Sequence, residues 1–381
     1  MAEIRIAGLQ KEFGTFAAVR DVNITVDDGE FVFLLGPSGC GKTTTLRMIA
    51  GLEMPTSGLI EIASRNVTYL RPRHRNVGMV FQDYGLYRHM TVFGNIAYPL
   101  EVRRMTKGDI AKKVDQVART MQVDGILAKK PDQLSAGQLQ RVAIARMLVR
   151  DADVFLMDEP MSHLDAQLRG QMRAELRHIQ KTIGTTTIFV THDQLEAMTM
   201  ADRIIVMKDG EMLQFANPRE IFERPSTEFV ATFVGEPQMN VLDATLRRSD
   251  SVLLADCEAF AIPLLRDWAE AHGLARREGS RVRLGIRPEH VRLAGSPDET
   301  HPVPVTLASF EPTGAENLYL VQAGPFEITT RTSTTDSAGL GKVEGTPLAM
   351  GFDPAWIYLF DPQDGRTIAQ AAGSLQRRTG S

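Results

Sequence analysis

The chain has 381 residues, 43% hydrophobic and 24% charged, with a formal net charge of −4. That length exceeds the roughly 250–300 residues at which single cores stop growing, so two domains are expected, and the apolar and charged fractions are those of a soluble globular protein. The charge gives no reason to expect a nucleic-acid partner, and two cysteines, Cys40 and Cys257, suit a reducing cytosol without a disulfide framework.

The N-terminal MAEIRIAGLQKEF is charged and alternating, which predicts a strand and not a signal peptide. No apolar run approaches the ~20 residues needed to cross a bilayer, so work at a membrane would need another chain to do the crossing. AAVRDVNITVDDGE alternates as well, and Asp27-Asp28-Gly29 supplies a turn. Phe31-Val-Phe-Leu-Leu35 then reads as a fully buried strand. It runs into GPSGCGKTT, residues 36–44, and a helix in which Leu46, Met48 and Ile49 recur before Gly51 stops it. Strand, glycine-rich turn and helix are the context of a phosphate loop. Gly36, Gly39 and Gly41 let the backbone amides turn inward at a helix N-terminus, Lys42 adds a positive charge for the outer phosphates, and Thr43 offers a hydroxyl to Mg²⁺. The expected ligand is a nucleoside triphosphate. Cys40 lies within the loop, where Lys42 and the helix N-terminus are expected to favour its thiolate.

A helical pattern follows through MTKGDIAKKVDQVARTMQV, with Ile110, Val114, Val117 and Met121 near 3.6 spacing. In LSAGQLQRVAIARMLVR, residues 134–150, Ser135 is a good N-cap, and Val142, Ala145 and Val149 share a face. This helix end makes a second anion site, and a chain with one phosphate loop and one such extra end suggests a site shared with another copy. DVFLMDEP is a second buried strand, ending in Asp158 and Glu159 where open α/β sheets bind ligands. Asp158 can hold Mg²⁺ through water, and Glu159 can deprotonate an attacking water. TTTIFVTHD and DRIIVMKDGEMLQFA return to strands, with Asp209-Gly210 as a hairpin turn. Beyond residue 235 short alternating strands dominate, interrupted by a helix-like PLLRDWAEAHGLARREG, which predicts a small β-barrel or sandwich. The expected divisions are 1–235, with a helical subdomain at about 85–155, then 236–361, then a poorly ordered tail over 362–381.

With these residues in view, the sequence resembles the ATPase subunits of ABC transporters, and most closely those of the maltose-type carbohydrate importers. GIRPEH, residues 285–290, and FDPAWIYLFD, residues 352–361, carry the resemblance into the C-terminal part. It implies an α/β phosphate-loop cassette, a mixed sheet plus a helical subdomain, followed by a small OB-like barrel. It implies nucleotide binding by Phe13, stacked on adenine, and by Gly36, Pro37, Ser38, Gly39, Cys40, Gly41, Lys42, Thr43 and Thr44. Gln82 is implied to touch Mg²⁺ and the attacking water, so the metal set is Thr43, Gln82 and Asp158. The catalytic set is Glu159, Gln82 and His192, the last as a switch at the γ-phosphate. Ser135, Ala136, Gly137 and Gln138 match the signature motif that serves the opposite monomer, and Asp165 matches the loop joining the two sites.

The implied function is ATP hydrolysis, with ATP and Mg²⁺, that energises import of a sugar, polyol or glycerol phosphate. The implied partners are two transmembrane permease subunits, a second ATPase copy or a paralogous subunit, and indirectly a substrate-binding protein. The implied location is peripheral, on the cytoplasmic face of the inner membrane. A polyamine importer is the nearest alternative. A soluble ABC ATPase of DNA repair or translation would bring a tandem cassette or a coiled-coil insertion, and a kinase or GTPase has no place for LSAGQ and THD. Three departures stand out: Ala136 replaces the first signature glycine, His163 an asparagine, and Gly85 and Arg88 an alanine and a proline.

Overall fold

The computed structural model describes residues 2–250, 252–298, 300 and 302–373, and every count of elements refers to these. The chain divides into two compact units between Pro218 and Arg219.

In the first unit, β1 (Ile4–Phe13) and β2 (Phe16–Val26) pair antiparallel, and their alternation turns Ile4, Ile6, Val22 and Ile24 inward. β3 (Phe31–Leu35) is buried at every residue, and α1 (Lys42–Ala50) follows it. β4 (Ser57–Ile62) and β5 (Arg65–Asn66) complete a four-stranded sheet ordered β2-β1-β4-β5. β6 (Val77–Val80) leads into three helices, α2 (Val92–Val102), α3 (Lys107–Thr120) and α4 (Ala136–Leu148). Then come β7 (Val154–Asp158), α5 (Ala166–Ile183), β8 (Thr186–Thr191), α6 (Gln194–Met200) and the hairpin of β9 (Arg203–Lys208) and β10 (Glu211–Ala216). Asp209 and Gly210 both take positive φ at that turn, as a two-residue hairpin requires.

The second sheet runs β10-β9-β3-β8-β7-β6 and is parallel except at its β10 edge. Strands covered on both faces read as near-continuous apolar runs, as in β3 and β7, while β8 holds an apolar centre, Ile188 to Val190, between buried threonines. Val32, Leu34, Leu156 and Val190 pack one face against Leu46 and Ile49 of α1 and Ile4 and Ile24 of the other sheet. Each such side chain contributes roughly 1.5–3 kcal/mol by its burial. On the other face Phe33 and Phe189, register partners across β3 and β8, stack at 4.5 Å.

Arg75 is fully buried and donates to the carbonyls of Met48 and Ile49 at 2.6 and 2.9 Å, and to those of Leu70 and Thr68, both at 2.8 Å. Its charge therefore meets the negative end of α1, and burial lowers its pKa to about 10. This clamp ties the helix of the phosphate loop to the chain entering β6.

The second unit opens with α7 (Pro218–Glu223) and α8 (Glu228–Phe233). β11 (Asn240–Ser249), β12 (Val252–Asp256), β13 (Ala261–Pro263), α9 (Arg266–Ala271) and β14 (Arg281–Ile286) follow. β15 (Val291–Ala294), β16 (Val303–Pro312), β17 (Glu316–Ala323), β18 (Phe326–Ser333), β19 (Pro347–Phe352), β20 (Ile357–Phe360) and β21 (Thr367–Ala369) complete it. Two antiparallel sheets, β13-β12-β11-β14-β20-β21 and β15-β19-β16-β17-β18, share one core that contains Leu246, Leu284, Leu359, Val305, Val321 and Met350.

Two expectations differ from this arrangement. Residues 219–235, assigned by sequence to the first domain, group with the second unit. Arg287 donates to the carbonyls of Phe222 and Val234 at 2.6 and 2.9 Å, and the Tyr358 hydroxyl donates to that of Glu223 at 3.0 Å. The stretch after Pro362, expected to be poorly ordered, is structured as far as Gly373. β21 pairs with β20, Ala369 is buried, and Trp268 Nε1 donates to the Gln370 carbonyl at 2.6 Å. Residues 374–381 of that expected tail lie outside the described residues.

Candidate active site

The C-terminal ends of β3, β6, β7 and β8 lie side by side, and the sequence-predicted chemistry falls there. The loop after β3 turns through Gly39 and Gly41 at φ +80° and +102°, a region that side chains disfavour, and Gly41 then serves as N-cap of α1. A side chain at Gly36 would run into the Met207 carbonyl. Lys42 folds back along the loop, its Nζ donating to the carbonyls of Gly36 and Pro37 at 2.7 and 2.9 Å. Thr43 Oγ1 donates to Asp158 Oδ1 at 3.0 Å, joining the helix start to the end of β7. Asp158 is nearly buried, and that burial raises its pKa, opposed by the Thr43 hydrogen bond.

Glu159 follows at φ +44°, a strained conformation for a side chain with a Cβ. Its N–H donates to the Val190 carbonyl of β8 at 3.0 Å, and its carbonyl accepts from the Ser162 hydroxyl at 3.0 Å, so both sides of the residue are pinned. Its Oε2 lies 3.4 Å from His192 Nδ1 and 3.5 Å from Gln82 Nε2. Gln82, Glu159 and His192 thus meet, beside the Thr43–Asp158 pair.

Ser135 and Gln138 sit at the start of α4, where they form a capping box: Ser135 Oγ accepts from the Gln138 N–H at 3.4 Å and Gln138 Oε1 from the Ser135 N–H at 3.1 Å. Ala136 is exposed, whereas Gly137 is buried and a Cβ on it would strike Leu168 of α5 at 2.5 Å. The glycine that departs is the one the helix can spare. Asp165 caps α5, accepting from the Leu168 N–H at 2.9 Å. Phe13, at the β1 hairpin end, is 48% exposed, with Lys11 Nζ 4.6 Å above its ring.

The other departures are partly accounted for. Gly85 takes φ +63°, which alanine disfavours, and its carbonyl accepts from Arg146 Nη1 at 2.7 Å. His163 reaches Asp83, next to Gln82, at 3.9 Å. Nothing in the structure explains Arg88. Cys40 corrects the sequence reading: it is buried, and burial raises the thiol pKa by more than Lys42, the next largest influence, lowers it.

Sequence reasoning passed over a partly buried cluster on either side of His192, in which Thr191 and Glu196 are buried and Arg169 and Asp193 half-buried. It comprises Arg169 of α5 with Thr191, Asp193 and Glu196. Their charges read as surface residues, and only the fold buries Glu196 and half-buries Arg169 and Asp193.

A groove of about 440 Å³ beside the Gln82 segment is lined by Leu52, Phe81, Tyr87, Tyr98, Val102 and Arg146 among others. Leu52 and Val102 there are 48% and 65% exposed, so apolar surface faces outward. No helix among the described residues is long and apolar enough to cross a membrane.

Comparison with known proteins fits this geometry. The ABC transporter family matches residues 19–162, the MalK OB fold domain residues 235–291 and the TOBE domain residues 284–360. The chain is 42% identical to the sn-glycerol-3-phosphate import ATP-binding protein UgpC of Yersinia enterocolitica, over 96% of this chain and 99% of that protein. The chain belongs to the import ATP-binding subunits of ABC transporters. The trehalose/maltose import protein MalK of Thermococcus litoralis is 43% identical, over 97% of this chain and all of that one. The xylose/arabinose import protein XacJ of Haloferax volcanii is also 43% identical, over 97% and 96%. Among solved structures, a dimeric ATP-binding cassette in a post-hydrolysis state with ADP and Pi is similar, with TM-score 0.52 and 31% identity, over 56% of this chain and 98% of that one. This ABC subunit is accordingly an ATP-binding ATPase, a phosphate-loop cassette followed by an OB-type domain.

Proposed function

We propose that this subunit hydrolyses ATP to energise import of a small solute, a sugar, polyol or glycerol phosphate, through permease subunits. The observation that carries the reading is the meeting of Gln82 and His192 at one oxygen of Glu159, beside the Thr43–Asp158 pair. The named substrates of the relatives, glycerol phosphate, trehalose and maltose, xylose and arabinose, favour that class over polyamines.

In this reading the loop amides of residues 36–44 and Lys42 hold the phosphates, and Phe13 stacks on adenine. The Thr43 hydroxyl and Asp158 carboxylate, 3.0 Å apart, are hard oxygen donors that suit Mg²⁺, with Gln82 as a third. When bound, that ion offsets charge on the β- and γ-phosphates. Glu159 accepts a proton from water as its oxygen attacks the γ-phosphorus and the bond to ADP breaks; Gln82 and His192 orient water and phosphate. Ser135, Ala136, Gly137 and Gln138 serve the γ-phosphate of a second ATPase copy or a paralogue, and the Asp165 loop connects the two sites. ATP binding closes the pair of cassettes and hydrolysis reopens it.

The apolar groove beside Gln82 suits docking of two permease subunits, so the two ATPases would sit peripherally on the cytoplasmic face of the inner membrane, fed by a substrate-binding protein. No nucleic acid takes part. Replacing the base by its amide tests the chemistry. Glu159→Gln should keep ATP affinity and lower kcat by about 10²–10⁴. Hydrolysis at the wild-type rate would remove Glu159 as the base.

A further inference from the structure

Arg169 touches two loops at once. Its Nη1 donates to Asp193 Oδ2 at 3.2 Å and its Nη2 to the Leu164 carbonyl at 3.1 Å. Leu164 precedes Asp165, whose own carbonyl accepts from the Arg169 N–H at 2.9 Å. Asp193 follows His192, and its Oδ1 caps α6 by accepting from the Glu196 N–H at 3.1 Å. The Asp193 N–H donates to Thr191 Oγ1 at 2.9 Å, and that hydroxyl donates to Glu196 Oε2 at 2.7 Å. His192 is therefore held through both neighbours, Thr191 by α6 and Asp193 by α5. A guanidinium is a rigid planar fork, so a shift at one arm is felt at the other. Arg169 and Asp193 are only 29% and 21% exposed, which limits screening of their charges.

We infer that Arg169 is a positioning residue that makes the placement of His192 against Glu159 depend on the loop carrying Asp165. The inference rests on the proposed roles of His192 and Asp165. A second cassette that engages the Asp165 loop acts on the Leu164 carbonyl, and Arg169 passes that shift to Asp193 and so to His192. A plain brace between α5 and α6 would predict something different: cutting it would cost stability while leaving the contribution of His192 intact.

A double-mutant cycle in the full chain separates the two, with radiolabelled ATP so that slow variants are read. Arg169→Met should lower kcat roughly 10- to 100-fold, with KM for ATP within about twofold, as expected for a misplaced catalytic group. Added to His192→Ala, it should cause no further loss. Asp193→Asn should reproduce the Arg169→Met loss, and Arg169→Lys, which keeps the charge without the fork, should restore part of the rate. Losses that multiply in the His192→Ala background, or an unchanged kcat in folded Arg169→Met, would overturn the inference. If Arg169→Met does not fold, Asp193→Asn takes its place in the cycle under the same criteria. Wild-type hydrolysis by His192→Ala is a different result: it removes the role of His192, and the inference falls with it.

Discussion

Glu196 sits buried at the start of α6, its carboxylate accepting from Thr191 beside Asp193. Burial raises its pKa from 4.5 to about 7, partly offset by the Thr191 hydrogen bond and by Arg169 and Arg173, while Asp193 adds to the rise. Below the unfolded value the carboxyl is protonated in both states. Between there and about 7 the folded chain keeps a proton that the unfolded chain has released, so stability falls as pH rises through that window. The full loss is on the order of 3 kcal/mol. Glu196→Gln should remove this slope, read as the change in denaturant midpoint of the chain between pH 5 and pH 8. An unaltered slope in the variant would mean that Glu196 is already ionised across the window. The residue scale is also where sequence reading fails most plainly. Arg75 and Glu196 look like surface charges until the fold buries them, and Arg169 until it meets Asp193, 24 residues on. Cys40 has the reverse problem: Lys42 is visible in the sequence, but the desolvation that outweighs it is not.

At the scale of elements, the clearest consequence concerns the C-terminal strand. β21 covers the edge of β20, and Ile368 and Ala369 join the core of the second unit. A chain ended after Asp361 loses that strand and the Trp268–Gln370 hydrogen bond, and it exposes a sheet edge. Its thermal transition should fall by several degrees, since about 1 kcal/mol shifts the midpoint of a domain this size by roughly 2–4 °C. An unchanged transition would make β21 an ornament. The strands that the sequence made legible were those with an unambiguous pattern: β3, β7 and β8 are buried on both faces, β17 alternates along all eight residues, and β1, β2 and β16 alternate over part of their length, as at Ile4–Ile6, Val22–Val26 and Val303–Leu307. β13, β15 and β21 span three or four residues, too few to display a period, and only their sheet partners define them. The phosphate loop was readable for a different reason, because phosphate binding dictates glycine, lysine and threonine at fixed spacing.

For the whole molecule, the family was legible because its motifs are spread over the length of the chain. The division after Pro218 depends on Arg287 and Tyr358 reaching back to carbonyls 53 to 135 residues away. The central claim is that two cassettes enclose ATP between the phosphate loop of one and the signature helix of the other. Gel filtration of the full-length Glu159→Gln chain after incubation with MgATP tests it most directly, with the nucleotide content of the eluted particle measured. The account predicts a particle of two chains that retains one ATP per chain after free nucleotide is removed, and no retained nucleotide when Lys42→Ala is added. A single-chain particle, or a two-chain particle that releases its ATP on the column, would contradict it.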